Sequence, residues 1–284
     1  MVNLEMNGLM GGLYRICEWI MRFSVINVLW VICSIPFLLA ALPVLTVENT
    51  GQLTMVLIIS GVIAPFVLFP ATAAMFTVAR KWVLGDVDVP LFKTYFRGYK
   101  ENYRQSMFGG IIYSLLFLLF VVNMRFYAEL TNSLQFLSVM FLVLIAVLCV
   151  SLFHFFSILS HLHMSVFQII KSSLLITIGR PLTSIMIAIT SAVILYISFF
   201  HFQWLLMFFS GSLIAYSSFF YFHRMFVKLQ EKQRQWQENA ANDEEGDAEK
   251  ADGEDGEGRK TRADGEDVAE DGDGGSRDGL RTQT

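Results

Sequence analysis

The spacing of charged residues constrains this chain more than any other feature. Five long stretches contain no Asp, Glu, Lys or Arg: 25 residues between Arg22 and Glu48, 31 between Glu48 and Arg80, 20 between Arg104 and Arg125, 41 between Glu129 and Lys171, and 43 between Arg180 and Arg224. A bilayer core about 30 Å thick is crossed by about 20 apolar helical residues. Only 16% of the residues are charged, against about 25% in soluble domains. The expected fold is therefore all-α, a polytopic transmembrane helical bundle.

The first three runs predict one span each. The fourth predicts a span plus an amphipathic continuation. As one helix, the fifth would reach about 64 Å, so it divides at "FFHFQW", Phe199 to Trp204, where Trp, His and Gln suit a lipid–water interface. A single tilted helix with a long extension is the alternative there. The expected spans are 23–45, 53–79, 106–124, 136–160, 181–200 and 204–223, about six in a transmembrane domain of residues 1–228. The first run is longer than a signal-peptide core and lacks a clear cleavage site after it, so it reads as an uncleaved anchor.

Six spans place Arg15, Arg22, Arg80, Lys81, Lys93, Arg97, Lys100, Arg104, Lys171, Arg180, Arg224 and Lys228 on one side, and Arg125 on the other. Basic residues in short loops are retained in the cytoplasm, so both termini are expected there. This distribution accounts for the basic cluster between Arg80 and Arg104 without nucleic acid. Anionic lipid adds an attraction.

Amphipathic segments flank the spans. Leu9, Leu13, Ile16, Ile20 and Phe23 share one helical face, which fits either an in-plane helix or a plain extension of the first span. After Pro90, aromatic residues interleave with basic ones at helical spacing. Phe92, Lys93, Tyr95, Phe96, Arg97, Tyr99, Lys100 and Arg104 are the expected membrane-surface or partner contacts. Met164 to Pro181 occupies the equivalent place before the fifth span, and aligning Phe92 with Phe167 suggests a repeated unit of span, surface helix, span. Residues 229–284 are acidic, Gly-rich and poor in apolar side chains, so a disordered cytoplasmic tail is expected. Residues 1–237 carry a net charge of +7 and residues 238–284 one of −11.

Candidate chemistry is sparse. Cys17, Cys33 and Cys149 form no CxxC pair and read as small buried apolar residues. His154 and His161 share a helical face, but His163 lies about 200° from His161, so packing is favoured over metal binding. His154 is the ionisable residue deepest in a span. Pro65 and Pro70 are expected to kink the second span. Ala71, Ala73 and Ala74 suit close helix contact. No catalytic or cofactor-binding motif is present, so neither an enzyme nor a cofactor is expected.

The stretches "MNGLMGGLYRICEWIMRF", "FPATAAMFTVARKWVLGDVDVPLFKTYFRGYKENY" and "SVFQIIKSSLLITIGRPLTS" resemble the YesL-like family of bacterial membrane proteins, over roughly residues 6–228. Glycines, Pro70, Arg80-Lys81-Trp82 and Phe92-Lys93 follow the family's order. The resemblance implies a bacterial plasma membrane protein of undefined function. It also implies a link to carbohydrate utilisation, because genes of this family commonly lie beside carbohydrate-uptake ABC transporters. It supplies no catalytic residues, and the acidic tail falls outside it. The expected role is a non-enzymatic accessory protein, with the lipid bilayer and ABC sugar-transporter subunits as partners. The alternatives are a small-solute permease, which calls for polar residues converging at mid-membrane, and a lipid-sensing or envelope-stress protein.

Overall fold

The computed structural model of the chain describes residues 9–129, 135–162 and 164–266. The described residues are helical, without strands: α1 (Leu9–Cys33), α2 (Ile35–Ala41), a 3-10 segment (Leu42–Thr46), α3 (Thr50–Val83), α4 (Leu91–Ala128), α5 (Phe136–His161), α6 (Val166–Gly179), α7 (Pro181–Phe200), α8 (Gln203–Leu205), a π-helical turn (Leu206–Ser210) and α9 (Gly211–Glu266). Among them, six helices are long and apolar enough to cross a membrane: Gly11–Cys33, Gly51–Val83, Leu91–Ala128, Phe136–His161, Pro181–Phe200 and Gln203–Asn242. The protein is an all-α polytopic membrane bundle.

The first span lies earlier than residues 23–45. Pro36 has no N–H and crowds the preceding turn, so α1 ends at Cys33 and the chain continues as α2 and the 3-10 segment. The amphipathic residues before Arg22 are the start of α1 itself. Their apolar positions Leu13, Ile16 and Ile20 face outward, whereas Ile26 and Leu29 are buried.

The core centres on α3. Ala71, Ala73, Ala74, Met75, Phe76, Val78 and Ala79 are all buried. The alanines let backbones approach, as small residues do between membrane helices. Helix α3 runs unbroken through Pro65 and Pro70. Gly110 of α4 lies so close that a Cβ there would meet the Pro65 Cα at 2.9 Å and the Phe69 ring at 2.8 Å. Pro65 thus sits at a tight helix crossing.

The surface helix expected over residues 86–104 is not separate from the third span. It is the first part of α4, 38 residues long, or about 57 Å. Nothing after Pro90 interrupts the backbone ladder. The second proposed unit differs, because Arg180 precedes Pro181. A residue before proline is driven out of the helical region, and Arg180 takes φ −128° and ψ 64°. Helices α6 and α7 therefore stay distinct.

The chain forms two compact units, Met1–Phe226 and Val227–Thr284. In the second, the tail expected to be disordered is helical as far as Glu266. Side chains 231–242 are all exposed, so this stretch rests on the helix propensity of Glu, Gln, Lys, Arg and Ala rather than on burial. Residues 267–284 of the expected tail, and His163, lie outside the described residues.

Candidate functional site

The end of α3 and the start of α4 bring together Arg80, Lys81, Lys93, Arg97, Lys100 and Arg104 beside the end of α5, and this is termed the basic end. There the α4 arm is clamped on one face and open on the other. Thr94, Tyr95 and Gly98 are buried. The Tyr95 hydroxyl donates to the Ala71 carbonyl at 3.1 Å. Gly98 passes so close to α3 that a Cβ would lie 2.8 Å from the Thr77 Cβ. The Asn102 amide donates to the Thr77 Oγ1 at 3.2 Å. The open face carries Phe92, Lys93, Phe96, Arg97, Lys100 and Arg104, all exposed, while Tyr99 is half-buried. Arg97 pairs with Glu101 one turn on, at 2.8 Å.

This placement divides the surface residues named from the sequence. Tyr95 is not a surface contact: it is fully buried and anchors the arm. The others leave a contiguous aromatic and basic stripe. The intervening loop is also tied down. Gly85 takes φ 93°, a conformation that side chains disfavour. Asp88 accepts from the Arg22 Nη2 at 2.6 Å, as does Glu18 at the same distance. Trp19, Phe23, Trp82 and Tyr216 stack edge to face beside this pair, with centroids 5.3–5.9 Å apart.

A second set of polar groups lies within the bundle. The Tyr113 hydroxyl sits 2.7 Å from the Ser151 Oγ and 2.9 Å from the Ser173 Oγ, joining α4, α5 and α6. Ser184 of α7 donates to the Thr177 carbonyl at 3.1 Å, and its hydroxyl lies 3.2 Å from the His154 Nε2. These bonds seat the α6–α7 break against α5. The His154 Nδ1 is buried without a partner. Asn27 bridges α1 to the π-helical turn. Its amide donates to the Leu206 and Met207 carbonyls at 3.2 and 2.6 Å, and its Oδ1 accepts from the Ser212 N–H at 3.0 Å.

Between α2, α3 and α4 lies a cavity of about 580 Å³. Phe37, Leu57, Phe66, Leu115, Leu118 and Val121 help to line it. Its wall is predominantly apolar. A hydrated sugar requires polar groups to replace its water shell, and this wall offers few.

The cysteines differ from expectation: Cys17 is exposed and Cys33 and Cys149 are half-buried, all as free thiols. Outward positions of a membrane bundle meet lipid rather than water, so apolar character does not imply burial. The sequence also left Asn27, Tyr113 and the serines unassigned. Asn27 carried a signal, as a lone amide near the start of an apolar run.

The family described as "Protein of unknown function, DUF624" matches residues 23–124. The uncharacterized protein YesL of Bacillus subtilis (strain 168) is 31% identical over 241 residues, covering 84% of this chain and all of that protein. YteU of the same organism is 28% identical, over 80% of this chain and 91% of that one. YesV is 27% identical, over 66% and 78%. No solved structure matches the chain. With its glycine-seamed α3–α4 pair inside the matched region and a full-length relative at this identity, the chain belongs to the YesL-like family of proteins of unknown function.

Proposed function

We propose that the protein is a non-enzymatic accessory component of the bacterial plasma membrane, with both termini in the cytoplasm. It assists carbohydrate uptake by holding ABC sugar-transporter subunits. The observation that carries this reading is the α4 arm. A rigid helix, locked to α3 by Tyr95 and Gly98, presents an exposed stripe of Phe92, Lys93, Phe96, Arg97, Lys100 and Arg104. Aromatic and Arg side chains are the usual anchors of protein interfaces. A preorganised helix loses little conformational freedom on docking.

The carbohydrate context rests on the family resemblance noted above. The competing permease reading calls for polar groups free to bind solute. The clustered buried hydroxyls of Tyr113, Ser151, Ser173 and Ser184 are engaged with one another or with backbone, and the unpaired ones of Ser34, Ser60, Ser191 and Ser218 form no such cluster, which favours a packing role. The test is uptake of radiolabelled oligosaccharide by liposomes containing this protein alone. The accessory reading expects accumulation equal to that of empty liposomes. Saturable uptake would replace it with the permease.

A further inference from the structure

We propose that Arg80, His161 and His223 form a binding site for a phosphate group at the basic-end edge of the bilayer. The three residues come from α3, α5 and α9 and meet where α3 and α5 end. Arg80 donates through Nη1 to the Ser160 carbonyl at 2.8 Å, beside His161. The His161 and His223 rings lie edge to face with centroids 6.1 Å apart. Phe219, Phe222 and Phe226 surround His161, with centroids 5.2–6.4 Å away.

The site is unfinished as a protein structure. The Arg80 Nε, His161 Nδ1 and His223 Nδ1 are all buried without a hydrogen-bond partner. Buried polar atoms are nearly always paired, so three orphans together point to a missing ligand. The charge is also unbalanced. The ion pairs among the described residues involve Arg22, Lys81 and Arg97, and none reaches Arg80. A half-buried guanidinium without a counter-ion is costly.

The donor chemistry selects the ligand. A guanidinium has five N–H donors and no acceptor; one is directed at Ser160, and the buried Nε has no partner. Each imidazole adds a donor. Such a set fits a phosphate, whose several oxygens accept charge-assisted bonds. Basic residues at the ends of spanning helices favour the headgroup region, where phospholipid supplies phosphate, and soluble phosphate reaches the same edge. Both sources share the chemistry. This assignment does not depend on the docking role of the α4 arm.

The test uses the full-length protein in nanodiscs of equimolar phosphatidylglycerol and phosphatidylcholine. The protein is extracted and washed at high salt, and retained lipid is quantified by mass spectrometry. Retention of phosphatidylglycerol over phosphatidylcholine by about tenfold is expected for a charge-assisted site. Arg80→Gln loses the preference and Arg80→Lys keeps part of it. Lys171→Gln, exposed and outside both the site and the α4 stripe, leaves it intact because exposed charges are screened by the wash. His161→Gln/His223→Gln provides a second route should Arg80→Gln not fold. In a parallel arm, lipid-stripped protein is melted in inorganic phosphate and in chloride at matched ionic strength. Arg80-dependent stabilisation by phosphate without lipid preference assigns a soluble phosphate ligand. Neither effect in the wild type, or a lipid preference unchanged in both sets of variants, overturns the proposal.

Discussion

The Asn27 amide donates to the Met207 carbonyl at 2.6 Å, joining positions 180 residues apart in sequence. The π-helical turn at Leu206–Ser210 leaves backbone groups without ordinary helical partners, and Asn27 meets them from α1. Gly211 makes the approach possible, since a Cβ there would lie 2.7 Å from the Asn27 Oδ1. Asn27→Leu is expected to cost about 1–2 kcal/mol, the range for hydrogen bonds between membrane helices. Gly211→Val is expected to destabilise similarly by displacing the amide. Reversible unfolding in mixed micelles checks both, and unchanged midpoints would show that the bridge is dispensable.

The Gly109–Gly110 pair predicts a steric effect. A Cβ at Gly109 would run into the Phe155 ring, and one at Gly110 would lie 2.9 Å from the Pro65 Cα. Gly110→Val meets backbone that cannot move aside, so it is expected to lose about 1–3 kcal/mol. Gly12→Val, with nothing within 4 Å of its Cβ, serves as the control. Thermal unfolding in detergent distinguishes the two.

Tyr113 tests whether the buried hydroxyls act as structural ties. Tyr113→Phe removes bonds to both Ser151 and Ser173 and is expected to cost about 1 kcal/mol. Ser173→Ala should show a non-additive effect with it, because the residues share a network. A double-mutant cycle reporting additivity would contradict that coupling.

The Arg22–Asp88 pair predicts a local effect. Arg22 is 9% exposed at its side chain and Asp88 87%, so Glu18 retains most of the buried partnership. Asp88→Asn is expected to lower global stability by under about 1 kcal/mol. It should increase proteolytic cutting between Gly85 and Pro90, an effect that high salt reproduces in the wild type. Equal cutting in both proteins at low salt would remove the clamp.

Much of the architecture was legible because the bilayer imposes a simple rule on charge spacing. The breaks were less legible. Pro36 and Pro181 have local causes, and they place the end of α1 and the α6–α7 junction. The break after Phe200 has no Gly or Pro, and its support comes from Asn27. Tyr95 shows the limit of periodicity. It shares an aromatic and basic pattern with Phe96 and Tyr99, yet α3 passes on its side, so it is buried. Pairing between distant helices decides such cases. For the same reason Ser184 and His154, 30 positions apart, could be matched only through the fold.

The most direct test of the account compares tagged wild-type protein with a Phe92→Ala/Phe96→Ala/Arg97→Glu/Lys100→Glu variant, from cells grown on plant polysaccharide. Each is purified in mild detergent, and co-purifying proteins are quantified by mass spectrometry. The account predicts ABC sugar-transporter subunits near stoichiometry with the wild type and at least about tenfold less with the equally folded variant, the loss expected when interface anchors are removed. A partner-free wild type, or equal recovery with both proteins, would contradict it.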